Sequence, residues 1–488
     1  MRSTVVAIFL ALTSPLAMAQ EQFDIVLKGG RVVDPETTLD AIRDVGVRKD
    51  RIARISTEPL NGLRVIDARG LVVAPGFIDL HQHQQDAKTC RLKALDGVTS
   101  ALELETGVPD IGKFIEARRG KALINFGATA SHEAARVVAW GQPLPQSTFG
   151  AEAGIPDPPT GPVTSEPATP EQLRRILGFL RAELDAGALG VGIGLEYTPG
   201  ASRHEVIELF RLAGEYHRPI YIHIRGAGTI EPGSSIEAVG EVIGASAVTG
   251  APLHIVHVNS MCMQDAPECL AMIAGARARG LDVTTEAYPY GAFMTFVNSA
   301  VFAPGWRERY RMDYGDVALP DTGERLTRER FDLLHASPQP IVVLGYLNPD
   351  VVVDAIMTHP LVMVASDGIV EHPRNAGSFA HVFARYVRAQ GKLTLLDAVR
   401  KMSLMPAQRL EGASEAARRK GRLQAGADAD IVVFDPARFE DQSTYRRADA
   451  PSVGVRYLLV GGTLVIDGGR LVEGVAPGRP ITADVHAP

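Results

Sequence analysis

Eight apolar, strand-like runs alternate with amphipathic helical runs through the middle of the chain, and this alternation restricts the fold more than any other feature. The runs are "FIDLHQH" (77–83), "TSALELE" (99–105), "ALINFGATA" (122–130) and "LGVGIGLEY" (189–197), then "PIYIHIR" (219–225), "PLHIVHV" (252–258), "LDVTTEAYPY" (281–290) and "LVMVASD" (361–367). Helical patterns such as "PEQLRRILGFLRAELDAG", "SRHEVIELFRLAGEYH" and "APECLAMIAGARARG" separate them, the last stopping at Gly280. Strand–helix alternation predicts an α/β protein with parallel strands, and eight units predict a closed, TIM-like (β/α)8 barrel. A doubly wound open sheet is the alternative. The barrel is expected over residues 76–415. Loop insertions are expected near 141–168, rich in Pro, Gly and Ser, and near 291–347, an aromatic and charged mixture. Stretches of that length belong at an active-site mouth.

The two ends of the chain have a different rhythm. In 20–75, "FDIVLKGGRVVD", "DVGVRKDRIARIS" and "LRVIDARGLVV" alternate Val and Ile with polar residues between Gly and Asp turn signals, which favours antiparallel strands. Residues 416–488 repeat this style in "DADIVVFDP" and "VRYLLVGGTLVIDGGRLV". Together they predict one small β-sandwich domain assembled from both termini. Residues 1–19 read as a signal peptide: Arg2, an apolar stretch from Val5 to Leu12, then Ala17 and Ala19 spaced as in a cleavage site. The mature chain is then expected to begin near Gln20 and to be exported, to the periplasm or the medium. No later charge-free apolar run reaches membrane-spanning length, and no cysteine follows the cleavage point, so no membrane anchor is expected. Cys90, Cys262 and Cys269 are too few and wrongly spaced for a disulfide framework, and are assigned to packing. With 45% hydrophobic and 22% charged residues the chain belongs with globular proteins, and its net charge of −7 argues against a nucleic-acid partner.

In such a barrel, functional residues gather at the C-terminal ends of the strands. The first strand ends in His81 and His83, which share a face because residues two apart do. The second ends in Glu103 and Glu105; Glu105, nearer the end, is the better-placed ligand, with Glu103 supporting it. The fifth carries His223, the sixth His254 and His257, and the eighth ends in Asp367 within "ASDG". His254 and His257 are three apart, so a regular strand cannot turn both inwards, and one of them supports or packs. Each residue has an ordinary alternative: a solvated pair for His81 and His83, a core histidine for His223, a turn aspartate for Asp367. Recurrence at one end of the barrel favours a joint role. Imidazole with carboxylate suits one or two divalent ions, first of all Zn²⁺, with Mn²⁺ and Co²⁺ as alternatives. A bridging carboxylate holds two cations together, and such a site generates hydroxide at neutral pH and polarises a carbonyl. Asp367 within reach of both would carry the proton to a leaving amine.

"PGFIDLHQH", the spaced strand-end histidines, "SDG" and "GADADIVVFD" resemble the amidohydrolase superfamily over nearly the whole mature chain. Within it, "GALGVGIGLEYTPG", "EAYPY", "ASDG" and "HPRNAGSFAHVFARYV", in that order, resemble the D-aminoacylases, the N-acyl-D-amino-acid deacylases. The resemblance of "IVHVN" to the family's strand-six segment implies His257 as the metal histidine rather than His254. "IHIRG" implies His223 as the strand-five ligand, and "ASDG" implies Asp367 as the catalytic aspartate. "ASHEAAR" resembles a Gly-His segment of the family and places His132 beside the pocket, a supporting residue like His254. Two features depart from the pattern. The family's cysteine ligand after strand two is missing, and "ALELETG" puts Glu105 in its place, while "LGVGIGLEY" has no lysine to form the carboxylated bridge of other superfamily members. The lysine that commonly follows the strand-six histidine is also missing, with Asn259 nearby. The substrate-binding candidates are therefore Tyr197, Arg225, Tyr288, with Tyr290 beside it, and Arg374, since an arginine binds a carboxylate bidentately.

The resemblance implies metal-dependent hydrolysis of a linear amide. The expected reaction is deacylation of an N-acyl (D-)amino acid to a carboxylate and an amino acid, by metal-activated hydroxide with Asp367 as proton shuttle. The alternatives are a cyclic amidase or dipeptidase of the same superfamily, resembling dihydroorotase, hydantoinase or isoaspartyl dipeptidase, and, in another class, a barrel that binds a small molecule without catalysis. The expected partner is a small-molecule amide.

Overall fold

The computed structural model of the protein describes residues 22–145 and 161–484; the expected leader and residues 146–160 of the first insertion lie outside them. At the amino end, β-branched residues set every few positions along the chain form β1 (Gln22–Asp34), β2 (Leu39–Arg48), β3 (Arg51–Ser56), β4 (Asn61–Asp67) and β5 (Val72–Pro75). β1, β2 and β3 pair antiparallel in sequence, while β4 and β5 lie parallel to β1.

The chain then enters the barrel. Its strands are β6 (Phe77–Asp79), β7 (Val98–Val108), β8 (Asn125–Ser131), β9 (Val191–Gly194), β10 (Ile220–His223), β11 (Leu253–Ile255) and β12 (Val283–Ala287). Before the eighth strand, the second insertion builds its own antiparallel sheet from β13 (Ala292–Phe296), β14 (Val317–Ala318) and β15 (Val342–Tyr346). The eighth barrel strand, β16 (Val362–Val364), pairs parallel with β12. The strand order runs β16-β12-β11-β10-β9-β8-β7-β6, which is the (β/α)8 topology the alternation predicts. The two ends of that path meet through Gly368. Its N–H donates to the His81 carbonyl at 3.1 Å, and its carbonyl accepts from the His83 N–H at 3.1 Å. A Cβ at this position would lie 2.1 Å from Oε1 of Gln82 and 2.7 Å from Oγ of Ser366, so a larger residue would have to push these buried side chains aside. The aliphatic residues of the helical runs join those of the strands in one large core, as amphipathic helices packed on a sheet must.

The carboxyl end returns to the first sheet with β17 (Ile431–Phe434), β18 (Val455–Val460), β19 (Thr463–Asp467) and β20 (Arg470–Leu471), and β17 lies antiparallel to β5. The nine-stranded sheet thus takes strands from both ends of the chain. It curls on itself, because Ile52 of β3 exchanges backbone hydrogen bonds with Gly426 and Ala427, just ahead of β17. Val32, Val45, Val47, Ile52, Ile431, Val433 and Leu459 fill the space enclosed.

Candidate metal centre

The C-terminal ends of the barrel strands carry a buried cluster of imidazoles and carboxylates. Glu105, from β7, sits at its middle. Its Oε2 lies 3.0 Å from Nε2 of His81 and 3.1 Å from Nε2 of His83, while its Oε1 lies 2.8 Å from Nδ1 of His223 and 2.9 Å from Nε2 of His257. Asp367 faces the first pair, with Oδ1 3.4 Å from Nε2 of His81 and 3.2 Å from Nε2 of His83. Six residues separated by hundreds of positions thus converge on one place. They form two donor groups, His81–His83–Glu105–Asp367 and Glu105–His223–His257, each with its ligand atoms within 4.8 Å of one another. Glu105 is common to both.

The backbone bends to achieve this. Leu253 and Ile255 of β11 pack into the outer core, whereas His254 and Val256 face Tyr221 and the interior cluster. Strict alternation would send His257 outwards. A left-handed conformation at His257 (φ 27°, ψ 59°) brings its ring back over Glu105. The restriction that one of the two histidines must face away thus holds only for a regular strand, and β11 ends at Ile255, two residues before His257. Asp367 is left-handed too (φ 48°). Such conformations are costly for non-glycine residues and concentrate at functional sites.

The ligand-type histidines are held in one orientation from behind. Glu286 accepts from Nδ1 of His81 at 2.9 Å and from the His257 N–H at 2.7 Å; Glu103 lies 2.9 Å from Nδ1 of His83; Glu196 lies 2.9 Å from Nε2 of His223. At His81, His83 and His223 the carboxylate fixes a proton on the outer ring nitrogen and leaves the inner one with its lone pair free for a cation, while at His257 Glu286 holds the backbone N–H. A further network lies beneath. Lys93 is 2.9 Å from Asp79, which accepts from the Ser366 hydroxyl at 2.6 Å and from its N–H at 3.0 Å, tying β6 to the segment that carries Asp367.

The electrostatics ask for positive charge at the cluster. Burial pulls the His223 imidazole down, but Glu105 and Glu196 outweigh it and hold it at about 9. His81 and His83 are likewise raised, burial being overcome by Asp367 and Glu105 at the first and by Glu103 at the second. Burial pushes Glu105 up, yet His81 and His257 hold it well below the usual carboxylate range; at Asp367, Arg374 and His81 do the same. Protons on the imidazoles or divalent cations between them satisfy the same demand, so metal loading releases protons. A donor set of imidazole and carboxylate, with a shared carboxylate, fits divalent ions such as zinc.

A cavity of about 490 Å³ opens above the cluster. His83, Glu105, His223, His257 and Asp367 form its floor, with Glu133, Glu196, Tyr197, Tyr310 and Arg374 around them and Val137, Phe293, Met294 and Val301 as apolar wall. The second insertion supplies Phe293 to Val301 and Tyr310, which places it at the mouth of the site. Arg374 lies 2.8 Å from Oδ2 of Asp367 and stacks on Tyr288 at 4.6 Å, while its Nε finds no hydrogen-bond partner among the described residues. Tyr197 lines the cavity and reaches Thr295 at 3.3 Å.

Other expected contributors lie elsewhere. Arg225 is not in the cavity: Glu241 pairs with it at 3.1 Å and the Ala201 carbonyl accepts from it at 2.8 Å, so it fastens neighbouring loops. His132 does not line the pocket. It is buried against Glu205 at 2.8 Å, together with Arg136, and burial lowers its basicity. His254 packs on Tyr221 and meets Thr284 at 2.8 Å. Tyr288 is buried behind Arg374. Tyr290 is bonded to Asp441, and Asn259 is spent on the Tyr288 backbone. Glu133, Glu196, Glu286 and Tyr310, which the strand-end reading passes over, are part of the site. Glu196 and Glu286 lie within motifs quoted above, but a lone glutamate carries no spacing signal.

The amidohydrolase family model matches residues 240–466. An N-acyl-D-glutamate deacylase of Alcaligenes xylosoxydans xylosoxydans is 31% identical over 95% of this chain and 98% of its own length. The chain belongs to the amidohydrolase family. It shares its fold with the N-acyl-D-glutamate deacylase of Bordetella bronchiseptica, solved with zinc and a phosphonate mimic of the tetrahedral intermediate (TM-score 0.78, 27% identity, 95% of this chain and 100% of that one). A D-aminoacylase whose binuclear metal centre has been analysed superposes with a TM-score of 0.79 at 25% identity, over 94% of this chain and 100% of that one. This amidohydrolase is therefore an enzyme of carbon–nitrogen bond hydrolysis with a metal-binding site of His, Glu and Asp.

Proposed function

We propose that this amidohydrolase removes the acyl group from an N-acyl amino acid, of D configuration, as an exported zinc enzyme. The observation that carries the reading is the position of Glu105. One carboxylate offers one oxygen to His81 and His83 and the other to His223 and His257, with Asp367 facing the first pair and Arg374 on the far side of Asp367. His81, His83, Glu105 and Asp367 would hold one divalent ion and Glu105, His223 and His257 a second. What a bound divalent ion supplies is polarisation of the amide carbonyl and acidification of water.

The remaining work falls to the chain's own side chains. Asp367 belongs to the first donor group and also lines the cavity, so it takes a proton from water and returns it to the leaving nitrogen. Arg374 anchors Asp367 through Oδ2 and keeps donors for the α-carboxylate of the substrate, the task a strand-six lysine would otherwise share. Phe293, Met294 and Val301 exclude water around the scissile bond. The D configuration is supported by the names of the relatives, and export by the leader-like first 19 residues.

The test is a screen of N-acetyl-D- and N-acetyl-L-amino acids against protein loaded with Zn²⁺, Mn²⁺ or Co²⁺, with metal content measured on the same samples. Release of free amino acid from the D series by the zinc-loaded protein is expected. A loaded protein that opens dihydroorotate or a hydantoin but leaves every N-acetyl amino acid intact would refute the reading.

A further inference from the structure

The cavity has a second polar feature that the hydrolytic machinery does not use. Glu133, in the helix His132–Ala139, lines the cavity, is 7% exposed, and its Oε1 has no hydrogen-bond partner among the described residues. The chain makes room for it: a Cβ on Gly194 would fall 2.4 Å from that oxygen. Val137, one helical turn on, shares the cavity wall with it. A buried carboxyl oxygen without a protein partner is costly, and at a cavity wall the missing donor comes from water or from a ligand that displaces it.

The charge inventory of the cavity points the same way. Among the described lining residues the one cationic side chain besides the imidazoles is Arg374, against Glu133, Glu196 and the carboxylates of the cluster. Residues 146–160 contain no Lys, Arg or His. Arg374 can take one substrate carboxylate. A second carboxylate, such as the side chain of an acidic amino acid, would meet Glu133 and Glu196 with no cation to pair with. An alkyl chain ending in an amine would instead lie along the apolar wall and place its charge against Glu133.

Building on the deacylase reading, we propose that Glu133 is a specificity-determining residue that selects N-acyl amino acids with a basic side chain, an amine or guanidine on an alkyl stem, and rejects those with an acidic one. This sets the protein apart from the relative named for an N-acyl-D-glutamate substrate, despite 31% identity. Burial and then Glu105 raise the Glu133 carboxyl to about 8, so it waits as an uncharged donor and acceptor and ionises when a cation arrives.

The experiment compares kcat/KM of the zinc-loaded full chain for the N-acetyl derivatives of lysine, arginine, leucine and glutamate, each as D and L. The basic substrates should exceed glutamate by about 100-fold or more, since a second substrate carboxylate would be buried with no cation to pair with, whereas an ammonium or guanidinium pairs with Glu133. Glu133→Gln should lower the lysine-to-leucine ratio by about tenfold or more, through KM rather than kcat, because it removes a charged hydrogen bond. Glu133→Lys should move the preference towards glutamate; circular dichroism checks that each variant is folded, and the isosteric Gln variant decides if the Lys variant is not. Glutamate hydrolysed as well as lysine, or an unmoved lysine-to-leucine ratio in Glu133→Gln, would overturn the assignment of Glu133 and leave the deacylase reading standing. No turnover of any member of the series would overturn both.

Discussion

Glu286 offers the sharpest test of how the cluster is held. One of its oxygens, Oε1, accepts both the Nδ1–H of His81 and the backbone N–H of His257, one residue from each donor group, while Oε2 has no partner among the described residues. Glu286→Gln keeps the shape and an acceptor oxygen but removes the charge. A charge-assisted hydrogen bond contributes about 1.5–3 kcal/mol and a neutral one about 0.5–1.5, so two bonds together lose about 2 kcal/mol. Because the carboxylate also raises the basicity of the His81 ring, that loss appears in cation affinity, at about 30-fold, within the range for residues that orient metal ligands. Glu286→Ala should weaken binding further, since it leaves the His81 and His257 N–H groups unsatisfied in a dry interior. Competition between the protein and a chromophoric chelator for Zn²⁺ measures both, with circular dichroism confirming the fold. Zinc binding within about threefold of wild type in the Gln variant, or an Ala variant no weaker than Gln, would refute the argument.

Other perturbations separate the remaining parts. Asp367→Asn should cut turnover by about 100- to 10,000-fold while zinc stays bound to His81, His83 and Glu105; full activity in that variant would remove Asp367 from the proton path. Gly368→Ala should lower the unfolding temperature, because the new methyl would lie 2.1 Å from Gln82 Oε1 and 2.7 Å from Ser366 Oγ at the point where the barrel closes, at a cost of about 1–3 kcal/mol; an unchanged unfolding temperature would mean that the closure yields easily. Glu133 also predicts a pH dependence of stability in the metal-free protein. Its carboxyl is raised from 4.5 to about 8 on folding, so between those values the folded chain holds a proton that the unfolded chain has lost. Stability then falls as pH rises through that window, and Glu133→Gln should remove that part of the slope in thermal unfolding; identical slopes would contradict the burial of an unpaired carboxyl.

The barrel was legible because its signal is local and repeated. "PIYIHIR" and "PLHIVHV" show strand character within seven residues, and each next to a helical run leaves few topologies open. The position of functional groups followed from the same rule, since strand ends face one rim. What failed was the assumption that the strands stay regular to their last residue. β11 ends at Ile255 and His257 follows in a left-handed turn, and nothing in "HIVHVN" marks that turn in advance, because no glycine or asparagine stands at the position. Arg225 failed for a related reason. Two residues after His223 the strand has already ended, so the shared face no longer holds and the guanidinium reaches Glu241 instead of the cavity.

The carboxylates behind the histidines were invisible for a different reason. Glu286 lies 205 residues from His81, and Glu196 lies 27 residues from His223 on a different loop. A ligand can be guessed from its own strand, but its orienting partner is chosen by the closed barrel, which brings the eighth strand's neighbour against the first. The departure at strand two follows from the same three-dimensional logic. A thiolate presents one donor atom, whereas the glutamate in its place presents two oxygens, and here each oxygen faces its own pair of imidazoles. Such a bridge divides its charge between two positions instead of concentrating it at one. Both donor groups then depend on the same side chain, and the affinity of one for a cation is coupled to the occupancy of the other through Glu105. Two zinc-binding steps that remain independent in wild type, and are equally affected by Glu105→Gln, would show that the carboxylate serves the groups separately.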